Sequence, residues 1–493
     1  MPEDTLLSID DIARLRDALT AADFTDQGIA GRLGPDAVAA IGRGDHRAAL
    51  RATADRDPLA TLIRLFVCQQ VEPAPAVRAA LAPLDLDEAV AGGIVTDAAG
   101  CLRQGVDLQP YGDRWWIVAD PPAWTHRGGP LPANHVLGLG GASATLAAAT
   151  IRAPVRTALD LGAGCGVQAL RLGAHAERVT ATDLSRRALR FAATTAALSG
   201  QSWELLHGDL AAPVAGRRFD LVVSNPPFVV GPGRATHTYR DSGRAGDAIC
   251  AELAAAAPSL LTEGGTMQFL ANWAHVRGQD WRERVSGWVT GTGVDAWIIQ
   301  REVSDPASYV RLWLADAGEP ADPQRMADWL DWCDAQGIEG IGFGLVSLRR
   351  TDSAAPVVRA EELRQQVAGE LGGHVAAWFD RQRWLRSHDS GALLATRFRA
   401  ADGLKLRQEA RRENGDWAVT RQVLALTDGL RWQEEVDPVA LAVVSGCDGD
   451  ASLGEQLTVL AAAYETPAWQ LGAMVTPLVA RLVERGLLVP AAG

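Results

Sequence analysis

The stretch TALDLGAGCGVQAL, residues 157–170, limits the fold more than any other part of the chain. A short apolar run meets three glycines spaced GxGxG, then apolar residues at helical spacing, which predicts a strand, a tight turn and a helix. Gly162, Gly164 and Gly166 let the backbone turn sharply and approach a ligand that a Cβ would hold off. A strand this apolar needs neighbours and covering helices, and the sequence that follows supplies them. The runs RVTATDL, WELLHGDL, FDLVVSN, GTMQFLANW, DAWIIQREV and IGFGLVSLRR alternate with helical stretches such as SRRALRFAATTAALSG and PQRMADWLDWCDAQG. The expected fold is α/β: a doubly wound, seven-stranded Rossmann-like sheet with helices on both faces and a last strand pair able to run antiparallel.

At 493 residues the chain is too long for a single core. We expect residues 1–121 to form a helical, winged-helix-like N-terminal domain, because PAPAVRAAL, LDEAVAGGIVTD and CLRQGVDLQPYGDRWWIVAD read as helix, helix and hairpin. Residues 122–350 hold the sheet. A polar linker, TDSAAPVVRAEE, then opens an α+β domain over 351–493, with strand-like LLATRFRA, LKLRQEARR and WAVTRQVLALT and a winged-helix-like end. The arginines on those strands (Arg397, Arg399 and Arg407) are expected on a solvated sheet face.

Three aspartates mark the ends of successive strands. Asp160 precedes the glycine turn, Asp183 ends ATDLS and is placed to hold a ribose diol, and Asp209 ends HGDL within reach of an adenine amino group. Leu184 and Leu210 stand beside them as further cofactor candidates. The fourth strand runs into SNPPF, residues 224–228. Proline cannot donate to a sheet ladder, so Pro226 and Pro227 lie past the strand, where open α/β sheets bind ligands.

These segments, DLGAGCG, TATDLS and GDLAAPVAGRRFDLVVSNPPF, resemble the class I S-adenosylmethionine-dependent methyltransferases, and among them the amino-methylating branch with an NPP(Y/F) motif. GDLAAPV and RDSGRAG (residues 240–246) are similar to the HemK-type protein-glutamine methyltransferases, with Phe228 for the usual Tyr and Ser242 for the first glycine of the loop. The resemblance implies that S-adenosylmethionine lies along Asp160, Gly162, Gly164, Gly166, Asp183, Leu184, Asp209, Leu210 and Asn225. It implies that Asn225, Pro226 and Phe228 carry the transfer. The Asn225 oxygen and the Pro226 carbonyl would hold the two N–H bonds of a planar amino group, rigid prolines would pre-set them, and Pro227 and Phe228 would contact the substrate, Phe228 by stacking. No metal is required.

Three functions fit: an N-methyltransferase acting on a protein glutamine amide; one acting on adenine N6 or guanine N2 of RNA or DNA; or a non-catalytic scaffold that binds S-adenosylmethionine. The net charge of −13 weighs against a broad nucleic-acid surface and favours the protein substrate, with the flanking domains docking it. Six scattered cysteines without a CxxC pair argue for reduced thiols and against structural zinc. No apolar run is long enough for a membrane span, and the opening MPEDTLLSIDDIARL lacks a basic segment before an apolar one, so the expected location is cytoplasmic.

Overall fold

The computed structural model describes residues 5–112, 114–122, 131–233, 240–316 and 322–491. The chain divides into two compact units, residues 1–147 with 153–362, and residues 148–152 with 363–493.

The first unit is built on an eight-stranded sheet: β1 (Val155–Leu161), β2 (Ala176–Asp183), β3 (Glu204–His207), β4 (Phe219–Ser224), β5 (Leu261–Val276), β6 (Val294–Ser304), β7 (Ile338–Arg350) and β8 (Val358–Glu362). Their spatial order is β3-β2-β1-β4-β5-β7-β6-β8. The strands from β3 to β5 pair in parallel, while β7 runs antiparallel to both β5 and β6. The order therefore reverses between β1 and β4, the crevice where sheets of this kind hold their ligands. Leu221, Val222 and Val223 on β4 are buried, as a strand covered on both faces must be. Six helices matter for the site: α1 (Gly141–Ala149), α2 (Val167–Leu172), α3 (Arg186–Leu198), α4 (Ala248–Leu260), α5 (Pro306–Asp316) and α6 (Pro323–Ala335).

All seven expected strands are present, and an eighth joins them. β8 comes from the segment read as linker: Ala296–Gln300 of β6 pair in parallel with Val358–Glu362, and Trp297 Nε1 donates to Glu361 at 2.7 Å. The sheet thus ends at Glu362 rather than at residue 350. Polar residues hid this edge strand, because only one of its sides meets a neighbour.

The N-terminal segment keeps the expected order of helices Ala74–Leu81 and Leu86–Ala91 followed by a hairpin, Val95–Ala98 with Cys101–Gln104. It is not set apart from the sheet, as the boundary at residue 121 had it. Its core includes Val167 and Leu170 of α2 and Ala188, Phe191 and Leu198 of α3. A second hairpin, Asp107–Tyr111 with Trp115–Ala119, is fastened to α3. Val118 N donates to Thr195 Oγ1 at 3.1 Å, and Trp116 N to Ser199 Oγ at 3.2 Å. Side chains on a helix here satisfy a strand edge that has no strand partner.

In the second unit a helix, Gly372–Arg386, accompanies a small sheet of Arg397–Ala400, Asp448–Ser452 and Leu488–Pro490. Of the expected strand LLATRFRA, only the end is extended: Ser390–Ala395 is helical, capped by Asp389, whose carboxylate accepts from Ala392 N. The arginine-bearing hairpin Leu404–Glu413 with Asp416–Leu426 is exposed along almost all of its first strand. The unit closes with helices Leu453–Ala463 and Ala468–Arg485. No helix among the described residues is long and apolar enough to cross a membrane, and all six cysteines are free thiols.

Candidate functional site

The turn after β1 is shaped by its glycines. Gly162, Gly164 and Gly166 have φ of +72°, +56° and +90°, which side-chain-bearing residues adopt only at a cost. Gly162 N and Ala163 N both donate to the Thr182 carbonyl at the end of β2, at 2.9 and 3.0 Å. Asp183 completes the tie, accepting from Gly164 N at 2.8 Å and from Ser185 N at 2.7 Å. Burial raises its carboxyl above the ordinary range, against the pull of these two N–H groups.

A cavity of about 1060 Å³ opens over this turn. Gly162, Gly164, Asp183, Leu184, Asp209, Leu210, Asn225 and Pro227 all line it. A Cβ built on Gly162 or Gly164 meets nothing within 4 Å, so each glycine faces open space that a side chain would fill. Leu184 is an exposed apolar side chain at the mouth, 56% accessible. A cradle of bare backbone next to a carboxylate and an exposed leucine fits a nucleoside with an apolar ring and a diol.

Four expected site residues lie elsewhere. Asp160 is buried beneath the turn, where Oδ2 accepts from Ala169 N at 2.9 Å and so holds α2. Oδ1 is buried without a hydrogen-bond partner, and burial pushes the carboxyl up to about 7. Gly166 begins α2, and a Cβ there would meet the Trp203 ring at 2.6 Å; its bareness serves packing. Pro226 is buried and does not line the cavity. Phe228 is 7% exposed and packs on Trp313 and Phe343, with ring centroids 6.1 and 5.9 Å away. It has no free face for a substrate. The aromatic side chains in the cavity wall are instead Phe66 and, from α5, Trp313, which nothing near SNPPF in the sequence reveals.

The loop after β4 is pinned at both ends. Ser224 Oγ donates to the Leu161 carbonyl at 2.8 Å, tying β4 to β1. Val230 N donates to the buried Tyr309 hydroxyl at 2.9 Å, and Trp329 Nε1 donates to the Val230 carbonyl at 3.2 Å. Asn225 is held between these anchors. Its Nδ2 donates to Ser143 Oγ at 3.4 Å, which leaves Oδ1 as a buried acceptor without a partner. Such an acceptor costs about 1–3 kcal/mol unless a donor arrives.

Asp209 is half exposed and paired with Arg244 at 3.2 Å, and Arg244 also bonds Glu252 at 2.6 Å. Arg244 comes from the RDSGRAG loop, so that loop reaches across to Asp209 in the cavity wall. Asp120 and residues 134–143 line the cavity as well. Asp120 accepts from Val136 N at 2.9 Å and pairs with Arg187.

Comparison with known proteins agrees with this geometry. Residues 139–280 match the model of the methyltransferase small domain. The flanks match two domains of unknown function, DUF7059 over residues 21–105 and DUF7782 over residues 376–490. A release factor glutamine methyltransferase of Deinococcus radiodurans is 48% identical over 80 residues, 16% of this chain and 28% of that protein. A second, from Xylella fastidiosa, is 32% identical over 148 residues, 28% of this chain and 50% of that protein. A ribosomal RNA small subunit methyltransferase C of Alcanivorax borkumensis is 33% identical over 114 residues, 23% of this chain and 31% of that protein. The chain thus spans half or less of the length of these relatives. The matched family model spans strands β1 to β5, and there this chain carries a HemK-like, class I S-adenosylmethionine-dependent methyltransferase domain.

Proposed function

We propose that the chain methylates a glutamine side-chain amide of a protein substrate, using S-adenosylmethionine. The observation that carries this reading is Asn225 Oδ1, a buried acceptor with no partner at the end of β4. A primary amide brings N–H donors that such an acceptor lacks. Its nitrogen is planar and poorly nucleophilic, so the chain's task is to hold it. Asn225 Oδ1 accepts one of its N–H bonds, and the Ser224, Tyr309 and Trp329 anchors keep that acceptor still. Positioning of this kind can lower a barrier by roughly 7–11 kcal/mol at best. Asp183 accepts the ribose hydroxyls, and the bare edges of Gly162 and Gly164 admit the rest of the nucleoside. S-adenosylmethionine, when bound, supplies an electrophilic methyl on its sulfonium. The methylated nitrogen is acidic and gives its proton to water.

Charge favours a protein over a nucleic acid. The described residues lining the cavity include seven aspartates against a single arginine, Arg244, and no lysine. A nucleic-acid strand entering there would bring phosphates against carboxylates, whereas a glutamine amide is neutral. The names of the glutamine methyltransferase relatives support the same substrate, and the flanking segments are then the parts that grip the protein around it. The reaction is placed in the cytoplasm.

The test is incubation of the full chain and methyl-labelled S-adenosylmethionine with a bacterial lysate, followed by ribonuclease or protease. Label that resists ribonuclease, and that peptide mass spectrometry finds as one methyl group on a glutamine, is the expected result. Label released by ribonuclease would replace the glutamine with an RNA base.

A further inference from the structure

The cavity is walled in part by the hairpin of Asp107–Tyr111 and Trp115–Ala119, which lies outside the methyltransferase small domain. Asp107 begins it and is 4% exposed. Its carboxylate rests on the backbone of Gly138, where a Cβ would sit 2.8 Å from Oδ2. The neighbouring Leu137 carbonyl accepts from Cys165 Sγ at 3.2 Å, and Cys165 lies between Gly164 and Gly166. Asp107 is therefore one residue's breadth from the glycine turn. Gln109 Nε2 donates to its Oδ2 at 2.8 Å. Among the described residues no cation and no backbone N–H completes it. Its neighbours in the wall differ: Asp120 has Arg187 and Val136 N, Asp183 has two N–H groups, and Asp209 has Arg244. Burial without a cation pushes the Asp107 carboxyl up to about 6. A buried carboxylate with a single amide partner is costly until a cation reaches it.

We propose that Asp107, oriented by Gln109, binds the α-ammonium group of the aminoacyl end of S-adenosylmethionine, so that the N-terminal segment completes the cofactor site. This rests on the cofactor reading above. The cofactor offers two cationic groups, and the chemistry separates them. The sulfonium loses its charge as the methyl leaves, so a carboxylate held against it would stabilise the ground state more than the transition state and slow the transfer. The ammonium keeps its charge throughout, and a carboxylate there binds without opposing the reaction. The N-terminal segment is then more than a grip on the substrate, since detaching the hairpin would remove a cofactor contact.

Calorimetry on the full chain tests this with three ligands: S-adenosylhomocysteine, its desamino analogue, and 5′-methylthioadenosine, which lacks the aminoacyl end. Wild type should prefer S-adenosylhomocysteine to the desamino analogue. Asp107→Asn should bind S-adenosylhomocysteine on the order of 10–100-fold more weakly, as loss of a charge-assisted hydrogen bond implies, and the other two ligands unchanged. Gln109→Met, which removes only the orienting amide, should lose several-fold for S-adenosylhomocysteine alone. Equal weakening of all three ligands in Asp107→Asn, or no weakening of any, overturns the assignment while the cofactor reading stands. A wild-type chain that binds none of the three overturns both. Should Asp107→Asn fail to fold, Gln109→Met with unchanged preference for the amino-bearing ligand overturns the assignment by itself.

Discussion

The turn after β1 and the loop after β4 leave neighbouring strands of one sheet, yet the first is held open and the second is packed shut. In the turn, Gly162 and Gly164 present bare backbone to the cavity, and their positive φ keeps it there. In the loop, Pro226 and Phe228 are buried, and Tyr309 and Trp329 clamp the chain beyond them. One loop makes room for a ligand by lacking side chains. The other fixes a single acceptor, Asn225 Oδ1, by filling everything around it. Binding and aiming are thus separable tasks, and substitutions should separate them.

The largest expected effect is on stability and lies in the packed loop. Phe228→Ala removes a buried ring that touches Trp313 and Phe343, and should cost ~3–5 kcal/mol, as large core deletions do. Urea melts would measure it. A variant of wild-type stability with a raised KM would mean that the ring meets the substrate after all.

Next comes aim. Asn225→Ala should leave cofactor affinity intact and lower single-turnover transfer by on the order of 10²–10³-fold, the usual effect of deleting one preorganised group. Full turnover would reduce SNPPF to a strand terminator.

Room is the third property. Gly164→Ala forces a side chain into φ of +56° and into the cavity. It should destabilise the fold by ~1–2 kcal/mol and weaken S-adenosylhomocysteine binding at the same time, whereas Asn225→Ala should do neither. Unchanged binding would show that the ligand does not press on the turn.

A last effect, on the pH dependence of stability, concerns the support beneath the turn. Burial puts the Asp160 carboxyl at about 7 in the fold, above its unfolded value near 3.8, so the folded state holds the proton more tightly. That contribution is complete below about pH 4 and is lost as pH rises towards 7. Asp160→Asn should flatten the stability profile across this window, as read by thermal melts at successive pH values. A wild-type profile that instead rises through the window because of Asp160 would contradict the burial argument.

Much of the site was legible because its constraints are local. A GxGxG turn needs glycine at positions with positive φ, and aspartates at strand ends follow from sheet periodicity, so Gly162, Gly164, Asp183 and Asp209 lie where spacing put them. Asn225 was legible because two prolines must follow a strand rather than sit inside it. Roles that depend on what packs against a residue were not. Asp160 and Gly166 belong to the scaffold since α2 and Trp203 lie against them. Phe228 is hidden since α5 and β7 bring Trp313 and Phe343 onto its ring, from about 85 and 115 residues downstream.

The alternation of strands and helices and the glycines that bend the chain after β1 were written in apolar runs and glycine spacing, because a parallel sheet must be apolar and a left-handed turn must lack a Cβ. Long-range packing alone decided which side chains face the cavity. Trp313 and Asp107 reach it from helix and hairpin positions that carry no local signature. β8 was paired by the neighbour it found and not by its own hydrophobicity, since a polar edge strand joins a sheet mainly through its backbone and leaves no apolar pattern in its side chains.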